Sequence, residues 1–194
     1  MEEFKEKIIN HRVWVSSLGS SGKRLIAECE DFRSYELSGA ILTEAILVDC
    51  TFDDATIHNA DFYRSELTSS SFQGVHFQHC GFVKAHFDGG YFRKADFLQC
   101  NFTRSDFFET DMIGAHFSEC SFSFANCVGI NLSNCILEDV DMEGAYLDNV
   151  LVAGTVFKNL INVDSISHIS INISQDDTPN IIEGIEAVEW LKSR

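Results

Sequence analysis

Residues 71–110 read SFQGV HFQHC GFVKA HFDGG YFRKA DFLQC NFTRS DFFET, with phenylalanine second in every block of five. These are Phe72, Phe77, Phe82, Phe87, Phe92, Phe97, Phe102 and Phe107, and the register runs on through Met112 to Phe117 and Phe122. A helix repeats its apolar residues at about 3.6 and a strand at about 2. A fixed period of five fits neither and marks a repeat architecture.

Outward from this stretch the phase holds without a slip. It passes back through Leu67, Phe62 and Ile57 to Phe32, and forward through Cys127, Leu132 and Leu137 to Phe157. That makes 26 positions, all apolar, in a chain that is 45% hydrophobic. Chance produces such a run about once in a billion. A second column, two residues earlier, is mostly small: Ala85, Gly90, Ala95, Cys100, Ser105 and Thr110 are examples. The residue between the two columns is often Asp or Asn. One large and one small inward residue per five describes a tight turn repeated at regular angles.

Ala95-Asp96-Phe97, Cys100-Asn101-Phe102 and Ser105-Asp106-Phe107 follow the order small, Asp/Asn, large. This pattern resembles the pentapeptide-repeat family over about residues 30–160, two thirds of the chain. The resemblance implies an all-β fold, a right-handed quadrilateral parallel β-helix with one coil per 20 residues. The right hand agrees with the general rule for parallel crossovers. The 26 positions then make 6.5 coils, a rod of about 30 Å at about 4.8 Å per coil. The expected organisation is an N-terminal capping helix and linker over 1–29, the β-helix over 30–160, and a strand and helix over 161–194.

The ends are read from local signals. Residues 2–15 predict a short helix, with Phe4, Ile8 and a residue near Val13–Val15 on one face. Ser16 to Gly22 reads as a linker, and Leu25-Ile26-Ala27 as a first strand. Ile169, Ile171 and Ile173 alternate like a strand. Asp176-Asp177-Thr178-Pro179 predicts a helix start, with Thr178 as N-cap and Pro179 at the first position. The expected stripe is Ile181, Ile182, Ile185, Val188 and Leu191. With Trp190 it is expected to cap the rod or to join two copies in a homodimer.

Composition narrows the function. The net charge is −16, and residues 30–160 carry −13 of it. From Asp106 to Asp148 there are nine acidic residues and no Lys or Arg: Asp106, Glu109, Asp111, Glu119, Glu138, Asp139, Asp141, Glu143 and Asp148. They are expected to form an acidic, partner-binding wall. Direct nucleic-acid binding is disfavoured, because phosphate contacts need a basic surface. A basic column interrupts the acidity: Arg64, Lys84 and Arg104 are spaced by 20, with Arg93 and Lys94 expected on a neighbouring side. Phe108, Val128 and Phe124 are expected outward and near one another.

The motifs of phosphate-binding loops, hydrolase nucleophiles and zinc proteases do not occur in the sequence, and a filled rod offers no concave pocket. The chain is therefore expected to be no enzyme and to need no cofactor. His76, Asp96 and His116 share one outward column, a weak metal candidate set against a hydrogen-bond ladder. Cys80, Cys100 and Cys120 are expected to stack as buried thiols. No apolar run approaches a membrane span, and the first residues lack a signal peptide's pattern, so a cytoplasmic location is expected. The resemblance implies one sharper reading, a DNA-mimicking modulator or protector of DNA gyrase or topoisomerase IV. A scaffold with another partner is the alternative.

Overall fold

The computed structural model describes residues 2–175 and 178–194. The chain forms a parallel β-solenoid between two short terminal helices, α1 (Glu2–Ser16) and α2 (Gly184–Lys192). Eleven short strands lie in the coils: β1 (Ile26–Glu28), β2 (Ile46–Val48), β3 (Thr56–His58), β4 (His76–Gln78), β5 (Asp96–Leu98), β6 (Asp106–Phe108), β7 (His116–Ser118), β8 (Asn126–Val128), β9 (Ile136–Glu138), β10 (Tyr146–Leu151) and β11 (Val156–Lys158). Then come a 3-10 turn (Val163–Ser165), β12 (His168–Asn172) and β13 (Ile181–Glu183).

Each coil as far as Ile161 pairs with the one before it at an offset of 20, as Phe77↔Phe97↔Phe117 and Asp106↔Asn126 illustrate. Only the last step, Tyr146↔His168, is 22, with a register shift between Leu147 and Val150. The rod thus has four walls, numbered here in chain order. Wall 1 runs Ile26, Ile46, Glu66, His86, Asp106, Asn126, Tyr146, His168. Wall 2 runs from Asp31 to Leu151 and wall 4 from Ile41 to Ile161, both through single bridges. Wall 3 is a six-stranded sheet of β3, β4, β5, β7, β9 and β11. Walls 1 and 3 are opposite, as are walls 2 and 4. Seven steps of about 4.8 Å along wall 1 give a rod of about 34 Å.

The five-residue period follows from how the backbone satisfies itself. The Phe82 N–H donates to the Asn101 carbonyl (2.7 Å), the Lys84 N–H donates to the Thr103 carbonyl (3.0 Å), and Ala85 closes the corner on the Phe82 carbonyl (2.9 Å). Aiming the Lys84 N–H along the rod requires a positive φ. Every fifth residue from Gly39 to Asn159 has one, between 51° and 71°. Of these 25 corners only seven are glycine, so the inter-coil hydrogen bonds hold Arg, Lys, Gln and Phe in a conformation that costs roughly 1–2 kcal/mol each.

Inside, the large column fills the rod. Phe72, Phe77, Phe82, Phe87, Phe92, Phe97, Phe102, Phe107, Phe117 and Phe122 are all buried. Rings one coil apart are parallel: Phe32, Phe52, Phe72 and Phe92 stack at 4.7–4.8 Å. Rings on adjacent walls meet edge to face, as Phe77 and Phe82 do at 5.0 Å and 86°. Both are favoured arrangements for aromatic quadrupoles. The small column is not purely apolar. Ser70 Oγ donates to the Leu47 carbonyl (2.8 Å), and Cys120 Sγ makes the equivalent contact with Phe97 (3.5 Å). Ser70, Ser105, Thr110 and Cys120 thus use the carbonyl 23 residues back, while Ser65 donates to Phe62 three residues back. All seven cysteines are free thiols.

The ends depart from expectation in two places. In α1 the inward residues are Phe4, His11 and, in part, Ile8, Trp14 and Val15, so the expected face is present and His11 is the addition to it. The C-terminal helix begins at Gly184, not at Thr178, and Asp176 and Asp177 lie outside the described residues. Ile181 and Ile182 belong instead to β13, which pairs antiparallel with β12. The Asn172 side-chain carbonyl accepts the Asn180 N–H (3.1 Å), which holds this segment extended against the sheet.

Candidate functional site

The fold sorts the charges in a way the linear sequence conceals. At its outward positions wall 1 carries Glu28, Asp49, Glu66, Asp88, Asp106, Glu109 and Asp148, with Glu30 in the small column and no Lys or Arg in its segments. Wall 3 carries five carboxylates, among them Asp96, against Lys158 alone. Walls 2 and 4 each mix four acidic with three basic residues. The acidic surface is therefore wall 1, reinforced by its opposite.

This corrects the window from Asp106 to Asp148. Of those nine residues, Asp106, Glu109 and Asp148 lie on wall 1 and Asp111 on wall 2. Glu119, Glu138 and Asp139 lie on wall 3, and Asp141 and Glu143 on wall 4. They ring the rod as a belt, and several are already engaged. Asp111 pairs with Arg93 (2.7 Å), Glu119 accepts from Gln99 (2.6 Å), Glu138 faces Lys158 (3.4 Å), and Asp141 accepts from Asn162 (2.8 Å). Glu28, Asp49, Glu66 and Asp88 were missed because they are far apart in sequence. Folding the sequence at 20 would have found them.

Wall 1 also presents apolar groups. Phe108 is 50% exposed, directly before Val128 in its column, and Tyr146 is partly exposed one coil further. Phe124, 49% exposed, sits at the corner where wall 4 turns into wall 1. Phe108 and Val128 are thus neighbours in one column, and Phe124 faces outward at the adjoining corner. Two histidines face wall-1 carboxylates: His86 Nδ1 lies 3.0 Å from Asp106 and His168 Nε2 lies 3.4 Å from Asp148.

The His76–Asp96–His116 column is present as a ladder. Asp96 lies 3.4 Å from His76 Nδ1 and 3.0 Å from His116 Nδ1. The three groups stand in a line on an open sheet, so they do not surround a point. Among the described residues no group of three or more ligand-type side chains converges on a metal position. Cys80, Cys100 and Cys120 are buried in the small column, and the neighbouring thiol, followed by burial, raises the pKa of Cys80 and of Cys100 above that of an ordinary thiol.

The Arg64–Lys84–Arg104 column runs along the corner between walls 4 and 1. Arg93 and Lys94 are on wall 2, the opposite side from wall 4, not a neighbouring one. At the C-terminus Leu191 and Ile182 are buried, and Trp190 packs edge-on against Phe157 (6.0 Å) with the Arg194 guanidinium 4.5 Å over its ring. Val188 is partly buried, Ile181 is exposed, and Ile185 is 83% exposed. The segment caps its own rod, and Trp190 is used in doing so. No helix among the described residues is long and apolar enough to cross a membrane.

Comparison with known proteins agrees with this geometry. The profile described as pentapeptide repeat region matches residues 70–150, and that described as pentapeptide repeats (8 copies) matches 36–68. No curated protein sequence matches significantly. Among solved structures, the chain is similar to the plasmid-mediated fluoroquinolone resistance protein QnrB1 (14% identity, 68% of this chain and 72% of that one, TM-score 0.41). It is also similar to HetL, involved in heterocyst differentiation regulation in the cyanobacterium Nostoc sp. strain PCC 7120 (18% identity, 80% and 89%, TM-score 0.27). A third is a pentapeptide repeat protein of the Arabidopsis thaliana thylakoid lumen (24% identity, 62% and 59%, TM-score 0.22). With the five-residue register closed into 20-residue coils and two profiles of one repeat covering most of them, the chain belongs to the pentapeptide-repeat proteins.

Proposed function

We propose that the rod is a non-catalytic protein-binding module that offers wall 1 to a DNA-binding enzyme in place of DNA. DNA gyrase and topoisomerase IV, the targets the family resemblance implies, are the sharpest form of this reading. The observation that carries it is the single sign of wall 1. Seven carboxylates along about 34 Å give one charge per about 4.8 Å, against about 3.4 Å along one DNA strand. The net charge of −13 over residues 30–160 gives the whole rod one charge per about 2.4 Å, against about 1.7 Å for duplex DNA. A straight, loop-free rod of that density competes for a cationic DNA channel without offering phosphates to cleave.

The test is a supercoiling assay with purified gyrase, with and without a fluoroquinolone, titrating the protein to micromolar levels. Inhibition or drug protection is expected, weakening with salt. The variant Glu66→Gln/Asp88→Asn/Asp106→Asn/Asp148→Asn should lose it. Glu119→Gln/Glu138→Gln/Asp139→Asn on the opposite wall should keep most of it. No effect on gyrase or topoisomerase IV removes this reading. A second reading, a scaffold for another cationic protein, is favoured by Phe108 and Tyr146. Exposed aromatics have no counterpart on a phosphate backbone and suit a protein socket.

A further inference from the structure

The corner between walls 4 and 1 changes character along the rod. Arg64, Lys84 and Arg104 occupy it on three successive coils, then Phe124, then Gly144 beside Glu143. Among the described residues these three have no carboxylate within normal hydrogen-bond distance, although acidic residues outnumber basic ones by 30 to 14. Arg64 reaches Glu44 only at 3.9 Å, Lys84 lies over the Tyr63 ring (5.8 Å), and Arg104 over the Phe124 ring (5.7 Å). Elsewhere Arg33 and Arg93 sit 2.6–2.7 Å from their carboxylates. At the other end Glu143 is exposed. The Phe124 ring lies so close over Gly144 that a Cβ there would come within 2.5 Å of it, which fixes the ring in the column.

We propose that this corner and wall 4 bind a second copy of the chain, antiparallel and related by a two-fold axis between the levels of Arg104 and Phe124. Reversing the rod about that axis sets Arg104 against the partner ring at position 124. It sets Lys84 at the level of the partner's Gly144 and Glu143. Each contact occurs twice, as a self-complementary two-fold interface requires. The pitch is matched because both ladders rise by the same inter-strand step of about 4.8 Å, a match that another anionic polymer lacks. The same geometry leaves both copies of wall 1 on one side, edge to edge. Their mutual repulsion is screened beyond about 8 Å at physiological salt, whereas the direct pairs are screened less.

The test is sedimentation velocity of the full chain at physiological salt. Wild type should dimerise. Lys84→Glu alone and Glu143→Lys alone should each weaken the dimer at least about tenfold, since each removes two pairs. The double variant Lys84→Glu/Glu143→Lys restores both pairs with sign exchanged and should recover wild-type association. Far-UV circular dichroism confirms that each variant is folded. Several results would overturn the proposal: a wild type monomeric to about 100 μM, a dimer indifferent to both single swaps, or a double variant as weak as the singles. Preferential capture of duplex DNA by the corner would overturn it as well.

Discussion

At the scale of single residues the rod has two kinds of position with opposite demands. Phe97 is buried, stacked between Phe77 (5.5 Å) and Phe117 (4.9 Å). Phe97→Ala should cost about 3–5 kcal/mol through the cavity it leaves, read from guanidinium melts. Gln99 is exposed, at φ 53°, and holds only Glu119. Gln99→Ala should cost less than about 0.5 kcal/mol. Gln99→Gly should be neutral or stabilising by up to about 1 kcal/mol, because it relieves the left-handed backbone. Equal effects at 97 and 99 would refute the register. Thiols divide in the same way. Burial pushes Cys127 and Cys135 up to about 12 and Cys50 up to about 11, while Cys29 is exposed. A thiol reagent should label one cysteine quickly in the native protein and the other six only on unfolding. Rapid native labelling of Cys127 would contradict the packed core.

At the scale of elements, α1 hangs on one buried histidine. His11 Nδ1 accepts the Leu25 N–H (3.0 Å), and its ring stacks on Trp14 (5.7 Å), which Arg24 covers in turn (5.5 Å). Its Nε2 lies toward the Thr43 carbonyl without a hydrogen bond of normal geometry. Desolvation, followed by the Arg24 charge, lowers its pKa, with the Thr43 carbonyl opposing. A folded pKa below the unfolded value of about 6.5 means that the unfolded state binds the proton first. The docking of α1 is therefore fully stable above about pH 6.5 and weakens as pH falls through and below it. Protonation also removes the acceptor for Leu25. Acidification from pH 7 to 5 should shift Trp14 fluorescence toward the solvent-exposed value in a Trp190→Phe background, and His11→Asn should flatten that response. A pH-independent Trp14 signal would show that His11 does not hold the helix. The helix itself was legible from Glu2 and Glu3 and the spacing of Phe4 and Ile8. The histidine was not, because a polar side chain on an apolar face gives no periodic signal. The C-terminal helix was misread for the reverse reason: Ile181, Ile182 and Ile185 fit a helical stripe, and only pairing with β12 makes the first two a strand.

At the scale of the whole molecule the coil is a one-dimensional stack. Its core was legible because the five-residue period survives every substitution of Phe by Leu, Ile or Met. The acidic wall was not, because Asp49, Glu66, Asp88 and Asp106 become neighbours only after folding at 20. The positive-φ corners stayed hidden because Arg64, Lys84 and Gln99 obey the backbone there without resembling glycine. In such a stack stability is roughly a sum over neighbouring coils, and open ends are the weak points. The C-terminal end is closed by β13, a three-residue edge strand against β12, and by Ala187 and Leu191 of α2. Removing residues 178–194 takes away Trp190 from Phe157 and bares the outer edge of β12, a parallel strand with unpaired N–H and C=O groups. Such an edge is a template for another chain. The truncated protein should keep its far-UV β signal, since the phenylalanine stacks from Phe72 to Phe122 are untouched. It should form end-to-end species whose size grows with concentration in multi-angle light scattering. A truncated chain that forms no species larger than the full protein does and melts like it would mean that β12 closes the rod unaided. α2 would then be an appendage, and its exposed Ile185 would need another explanation.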